Sequence, residues 1–80
     1  MNNITKEVKK IFSKNLGISV DKIKNTLSYV KSDKWDSLNH MKIVAQIEKK
    51  YKIQLKMIDI IAMETFGKSI SIINRYLKKK

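Results

Sequence analysis

The eighty residues contain no proline, and glycine occurs only at Gly17 and Gly67. These two residue types are the strongest local punctuators of helices and strands, so few positions in this chain are forced to break. Lys, Leu, Met, Glu and Gln, all good helix formers, fill much of the remainder. An all-α domain is the expectation. The length allows one small domain over residues 1–80 and no second catalytic unit. Apolar residues make up 42% and charged residues 31%, enough apolar material for a folded core.

Ile4, Val8, Ile11 and Phe12 follow at i, i+4, i+7 and i+8, which predicts one apolar stripe on a first helix of about three turns. Asn15 and Leu16 read as a fraying last turn before Gly17, which supplies a left-handed stop. From 18 to 36 the apolar residues Ile18, Val20, Ile23, Leu27, Val30 and Trp35 are unevenly spaced, as in a long connection pinned by scattered anchors. Asp36 and Ser37 offer capping oxygens to a second helix carrying Leu38, Met41, Val44, Ile47 and Tyr51. Met57, Ile58, Ile60 and Ile61 predict a brief third helix. Thr65 caps a fourth with Ile70, Ile73, Tyr76 and Leu77. The predicted architecture is a four-helix bundle with a long loop between the first and second helices and a short third helix. Lys78 to Lys80 read as a frayed, solvated basic end.

The longest uninterrupted apolar stretch, Ile60 to Met63, is far shorter than the ~20 residues a membrane span needs. The amino terminus lacks the apolar core of a signal peptide, so a cytoplasmic chain with no membrane partner is expected. Cysteine is absent, which excludes a disulfide, a thiolate nucleophile and a cysteine zinc site. Any thiol chemistry has to come from an attached cofactor. The single histidine, His40, lies one helical turn after Ser37, yet neither a third triad member nor an oxyanion pocket accompanies the pair. His40 therefore reads as a surface histidine, and no catalytic residue is assigned. Seven scattered acids and one histidine show no metal-ligand spacing, so no metal site is expected, and neither glycine has a partner for a phosphate loop.

What remains is Trp35-Asp36-Ser37-Leu38, a serine between a long loop and the best amphipathic helix. Asp-Ser-Leu by itself reads as a helix cap. In its context the stretch resembles the prosthetic-group attachment motif of the acyl carrier and peptidyl carrier protein superfamily, in which Asp-Ser-Leu opens the second helix of a four-helix bundle. The resemblance covers nearly the whole chain: its length, Ile4 to Phe12, the long loop with Trp35, Ser37 to Tyr51, and Met63-Glu64-Thr65-Phe66 leading into the last helix.

The resemblance implies 4′-phosphopantetheine on Ser37, delivered from coenzyme A by a separate phosphopantetheinyl transferase. The arm's thiol would hold acyl or aminoacyl groups as thioesters for loading and transfer enzymes. The protein itself would be a monomeric carrier without catalysis. A helix start suits an anionic phosphodiester by roughly 0.3–1 kcal/mol at an exposed site. Asp36 and Leu38 flank the attachment residue. Asp36 is implied as part of the surface the transferase reads, where holding the metal ion used in transfer stands beside capping as its role. Leu38, Met41, Lys42 and Ala45 are the implied partner-facing set. Core packing is the alternative for Leu38 and Met41, and it is preferred for Val44 and Ile47. Trp35 reads as a loop anchor over the bundle.

The chain departs from that family in charge. Eighteen Lys plus Arg against seven Asp plus Glu give +11, and Asn39, Lys42 and Lys49 stand where the family usually has acids. Coulomb steering toward basic partner patches is weakened or reversed, which favours a specialised biosynthetic pathway with dedicated enzymes over housekeeping fatty-acid synthesis. Abundant Lys, Ile and Asn also fit a coding bias. Two other functional classes fit the sequence less well. A small basic nucleic-acid-binding module is disfavoured because the lysines are spread over all helices and Arg75 is the only arginine. An unmodified carrier-like interaction bundle is disfavoured by the intact Asp36-Ser37-Leu38.

Overall fold

The computed structural model describes residues 4–78. Along the chain come α1 (Ile4–Leu16), a 3-10 turn at Val20–Lys22, α2 (Ser37–Tyr51), α3 (Met57–Ala62) and α4 (Phe66–Lys78). Of the basic end, Lys78 is the exposed last residue of α4, and the other two lysines lie outside the described residues.

α1 buries Val8, Phe12 and Leu16. Its last turn reaches Leu16, where the Gly17 stop was expected to end it, but that turn does not fray. Leu16 is buried, and the Asn15 side-chain amide donates to the Ile11 carbonyl at 2.8 Å and to Gln46 Oε1 at 3.2 Å. Gly17 closes the helix at φ +69°, with its N–H on the Ser13 carbonyl at 2.9 Å. A side chain rarely takes that conformation, which is why glycine stands there.

α2 turns Ile43, Val44 and Ile47 inward. The periodicity through Leu38 and Met41 traced the edge of this face, because both side chains are exposed. At the other end Lys52 takes the left-handed conformation (φ 56°) and its N–H caps the Glu48 carbonyl. α3 buries Ile60 alone, and α4 buries Phe66, Ser69, Ile72 and Ile73. Thr65 Oγ1 accepts the Lys68 N–H at 3.0 Å, the cap expected for α4.

Phe12 sits among aromatic partners. Its ring meets Trp35 and Phe66 edge-on, with centroids 5.1 and 5.0 Å apart. Each such contact is worth roughly 0.5–1.5 kcal/mol beyond the area it buries. The fold thereby ties α1, the long connection and α4 together at one point.

The connection between α1 and α2 is held differently from the expectation. Ile23 and Trp35 are buried and Ile18 and Leu27 partly so, but Val20 and Val30 are exposed, Val30 by 87%. Backbone hydrogen bonds replace those two anchors. Tyr29 N–H donates to the Glu64 carbonyl at 2.8 Å, Phe66 N–H to the Leu27 carbonyl at 2.9 Å, and Gly67 N–H to the Asn25 carbonyl at 3.1 Å. Ser28 pairs antiparallel with Thr65 within this seam. A Cβ on Gly67 would stand 3.2 Å from the Asn25 carbonyl oxygen, so the seam closes this tightly only over a glycine.

Candidate functional site

The start of α2 is locked by Lys34, Asp36 and Asn39. Asp36, in an extended conformation, turns its carboxylate back to accept the Asn39 N–H at 2.9 Å. The Asn39 side-chain amide donates to the Lys34 carbonyl at 2.7 Å, which fastens the end of the loop to the first turn. Ser37 is thereby presented as the first residue of the helix, exposed, with its Oγ 3.2 Å from the Tyr29 hydroxyl oxygen. A helix start leaves its first N–H groups without intrahelical acceptors, and the Asp36 cap engages only that of Asn39. The Ser37 and Leu38 N–H groups remain to face an anion on the serine.

His40 is not the surface residue expected from the sequence. Its ring is half-buried, Nδ1 accepts the Trp35 Nε1–H at 2.9 Å, and Nε2 stands 2.9 Å from the Ile60 carbonyl. An indole N–H only donates, so Nδ1 must be bare and Nε2 must carry the proton it gives to Ile60. Both nitrogens are committed, and neither serves Ser37 as a base. The Ser37 and His40 pair noted in the sequence therefore has no nucleophile–base geometry.

Beside Ser37 lies a cavity of about 290 Å³. Met41 from α2, Met57, Ile60 and Ile61 from α3, and Met63 make most of its wall apolar, while Tyr29, Ser37, His40 and Glu64 supply its polar groups. On the outer face of α2, Leu38 is 66% and Met41 49% exposed, and Lys42 and Ala45 are exposed with them. Val44 and Ile47 are buried, so the helix divides as expected between an outward strip and the core. Met57, Ile58 and Ile61 extend exposed apolar surface onto α3. Tyr29 was missed in the sequence because only the seam with Glu64 brings it to Ser37. The i, i+4 spacing of Met57 and Ile61 was the available signal for the α3 side.

These residues fit a bulky anionic group on a serine: the hydroxyl is exposed, the adjacent carboxylate is turned into the cap, and a cavity opens alongside. Residues 6–68 match the family model described as the phosphopantetheine attachment site. The chain belongs to that family. Its prosthetic group is covalently attached 4′-phosphopantetheine, and it is a carrier protein without catalysis of its own. The carrier is 39% identical over 79 residues to the acyl carrier protein of Buchnera aphidicola subsp. Schizaphis graminum, across 99% of this chain and 100% of that relative. A second acyl carrier protein, from Buchnera aphidicola subsp. Acyrthosiphon pisum, is 32% identical over 80 residues, again across 99% of this chain and 100% of the relative. Among solved structures, the carrier resembles holo acyl carrier protein from Geobacter metallireducens with a TM-score of 0.83 at 20% identity, covering 98% of this chain and 90% of that one. That likeness shows the all-helical fold.

Proposed function

We propose that the protein acts as one carrier domain over residues 1–80, is modified on Ser37, and presents thioester-bound acyl groups to partner enzymes. The observation that carries this reading is the exposed Ser37 at a capped helix start, opening beside an apolar cavity. When bound, the prosthetic group supplies the terminal thiol that this cysteine-free chain lacks. In loading, Ser37 Oγ would bond to the pantetheine-side phosphorus of coenzyme A as the bridging pyrophosphate P–O bond breaks, the adenosine bisphosphate leaving with the bridging oxygen and the serine proton passing to a base on the phosphopantetheinyl transferase. The Ser37 and Leu38 N–H groups and the helix dipole then favour the phosphodiester. Asp36 Oδ1 is occupied by the cap, and its second oxygen is the atom available to the transferase and its metal ion.

The cavity favours an acyl over an aminoacyl cargo. Its wall is chiefly methionine and isoleucine, the two His40 nitrogens are already satisfied, and the Glu64 carboxylate in its lining is paired with Lys68 at 3.1 Å, which leaves little to solvate an ammonium group. Leu38, Met41, Lys42 and Ala45 form the surface offered to partners. With Lys42 and Lys49 exposed on the same helix, that surface suits enzymes with acidic docking rims and supports a specialised pathway with dedicated partners. No helix among the described residues is long and apolar enough to cross a membrane, and we place the carrier in the cytoplasm as a monomer.

Intact mass after incubation with coenzyme A, magnesium and a broad-specificity phosphopantetheinyl transferase tests the assignment. One added phosphopantetheine in the wild type and none in Ser37→Ala is the expected result. An equal gain in both proteins would move the attachment elsewhere, and no gain on folded wild type would favour a bundle that only binds.

A further inference from the structure

The Tyr29 side chain is fixed on several sides. Its backbone N–H is held by the Glu64 carbonyl at 2.8 Å, and the preceding Ser28 pairs with Thr65. Its ring stands edge-on to Trp35, with centroids 6.0 Å apart and planes at 86°, and packs against His40 at 5.8 Å and 65°. These contacts employ the backbone and the ring and leave the hydroxyl, which lies 3.2 Å from Ser37 Oγ. In the unmodified chain either oxygen can donate.

Modification removes that choice. This step rests on the reading that Ser37 carries the prosthetic group. Once Ser37 Oγ is esterified to phosphorus it has no hydrogen, so the pair persists only with the Tyr29 hydroxyl as donor. The charged non-bridging oxygens of a phosphodiester are stronger acceptors than its ester oxygens, so the tyrosine hydrogen is drawn to them. The geometry points to Tyr29 as the side-chain donor that binds the Ser37-linked phosphodiester and directs the arm over the cavity that both residues line. Phenylalanine at this position would pack the same edges and hold no phosphate oxygen. Tyr29 is thus a binding residue for the arm, placed by the loop and not by the helix that bears the serine.

The test loads wild type, Tyr29→Phe and Tyr76→Phe with coenzyme A, magnesium and the transferase, verifies each by intact mass, and compares their phosphorus-31 NMR spectra. Tyr76 bonds to Asp59, away from Ser37, and controls for the loss of a tyrosine hydroxyl elsewhere. The expected result is a phosphorus resonance displaced beyond its line width in Tyr29→Phe and unmoved in Tyr76→Phe. Replacing Tyr29 with 3-fluorotyrosine, a stronger donor on the same ring, should displace it in the opposite direction. Coincident resonances in wild type, Tyr29→Phe and the fluorinated protein, all fully loaded, would overturn the Tyr29 assignment and leave Ser37 standing. Absence of a mass gain on wild type would overturn both.

Discussion

The Trp35 indole N–H donates to His40 Nδ1 at 2.9 Å, and this one bond decides how the imidazole is used. With Nδ1 accepting, the remaining ring proton sits on Nε2 and reaches the Ile60 carbonyl. A single side chain in the first turn of α2 thereby joins the end of the long loop to α3, across the wall of the cavity next to Ser37.

Removing the acceptor while keeping a ring tests this link. In His40→Phe the Trp35 N–H stays buried without a partner, which costs about 1–3 kcal/mol. Urea unfolding followed by Trp35 fluorescence measures it. A loss smaller than about 0.5 kcal/mol, the scatter of ordinary surface changes, would mean that water replaces the imidazole at no cost.

Asp36 and Ser37 are neighbours with separable roles. Asp36→Ala loses the bond to the Asn39 N–H and should destabilise the fold by about 0.5–2 kcal/mol. Ser37→Ala, at an exposed position outside the cap, should stay within about 0.5 kcal/mol of wild type. Denaturation midpoints at equal slope would show the contrast, and equal losses from the two variants would contradict it.

Acid stability should depend on Tyr76. Its hydroxyl, and then the Arg75 guanidinium, hold the Asp59 carboxyl below the usual carboxylate range. A depressed value in the folded state contributes stability that is complete above the unfolded value, about 3.9, and is lost as pH falls through the folded one. Tyr76→Phe should therefore lower the urea midpoint more at neutral pH than at pH values below about 3. The bond that the Tyr76 oxygen accepts from the Lys56 N–H adds a loss common to both conditions. A difference that grows on acidification would reverse the sign and refute the assignment.

Salt should stabilise this carrier. A charge of +11 on a chain of eighty residues repels itself, and added electrolyte screens that repulsion over about 10 Å at 0.1 M. The melting temperature should rise between about 10 mM and 0.5 M sodium chloride, and the rise should shrink in Lys42→Glu/Lys49→Glu. A melting temperature that falls with salt would show that pairs such as Lys68 with Glu64 outweigh the repulsion.

The helices were legible because their apolar spacing is local. Val8 and Phe12, or Val44 and Ile47, advertise one inward face within a few residues, and Ser37 to Tyr51 emerged with the observed ends. Asp36 and Ser37 were legible for the same reason, since a cap and its helix are contiguous. His40 was not, because its partners come from a loop and from α3, and nothing within its own helix encodes them. Val30 misled in the opposite sense. An apolar residue in a connection anchors only if the backbone turns it inward, and here the seam made by Leu27 and Tyr29 directs it out. Tyr29 depended on the same long-range pairing, so its place beside Ser37 could not be read from neighbours in the chain.

The seam from Asn25 to Tyr29 against Glu64 to Gly67 has a consequence for how the protein is made. Its two sides are separated by nearly half the chain, and contacts of that span form late because the intervening segment must be closed first. On a ribosome, α1 and α2 are synthesised while the residues that fasten Tyr29 do not yet exist. A polypeptide cut short before Glu64 would display the serine with Tyr29 and its loop unfastened. Arrival of Glu64 to Gly67 thus becomes the event that finishes the serine's surroundings, and a product truncated before them would offer a transferase only an unframed hydroxyl.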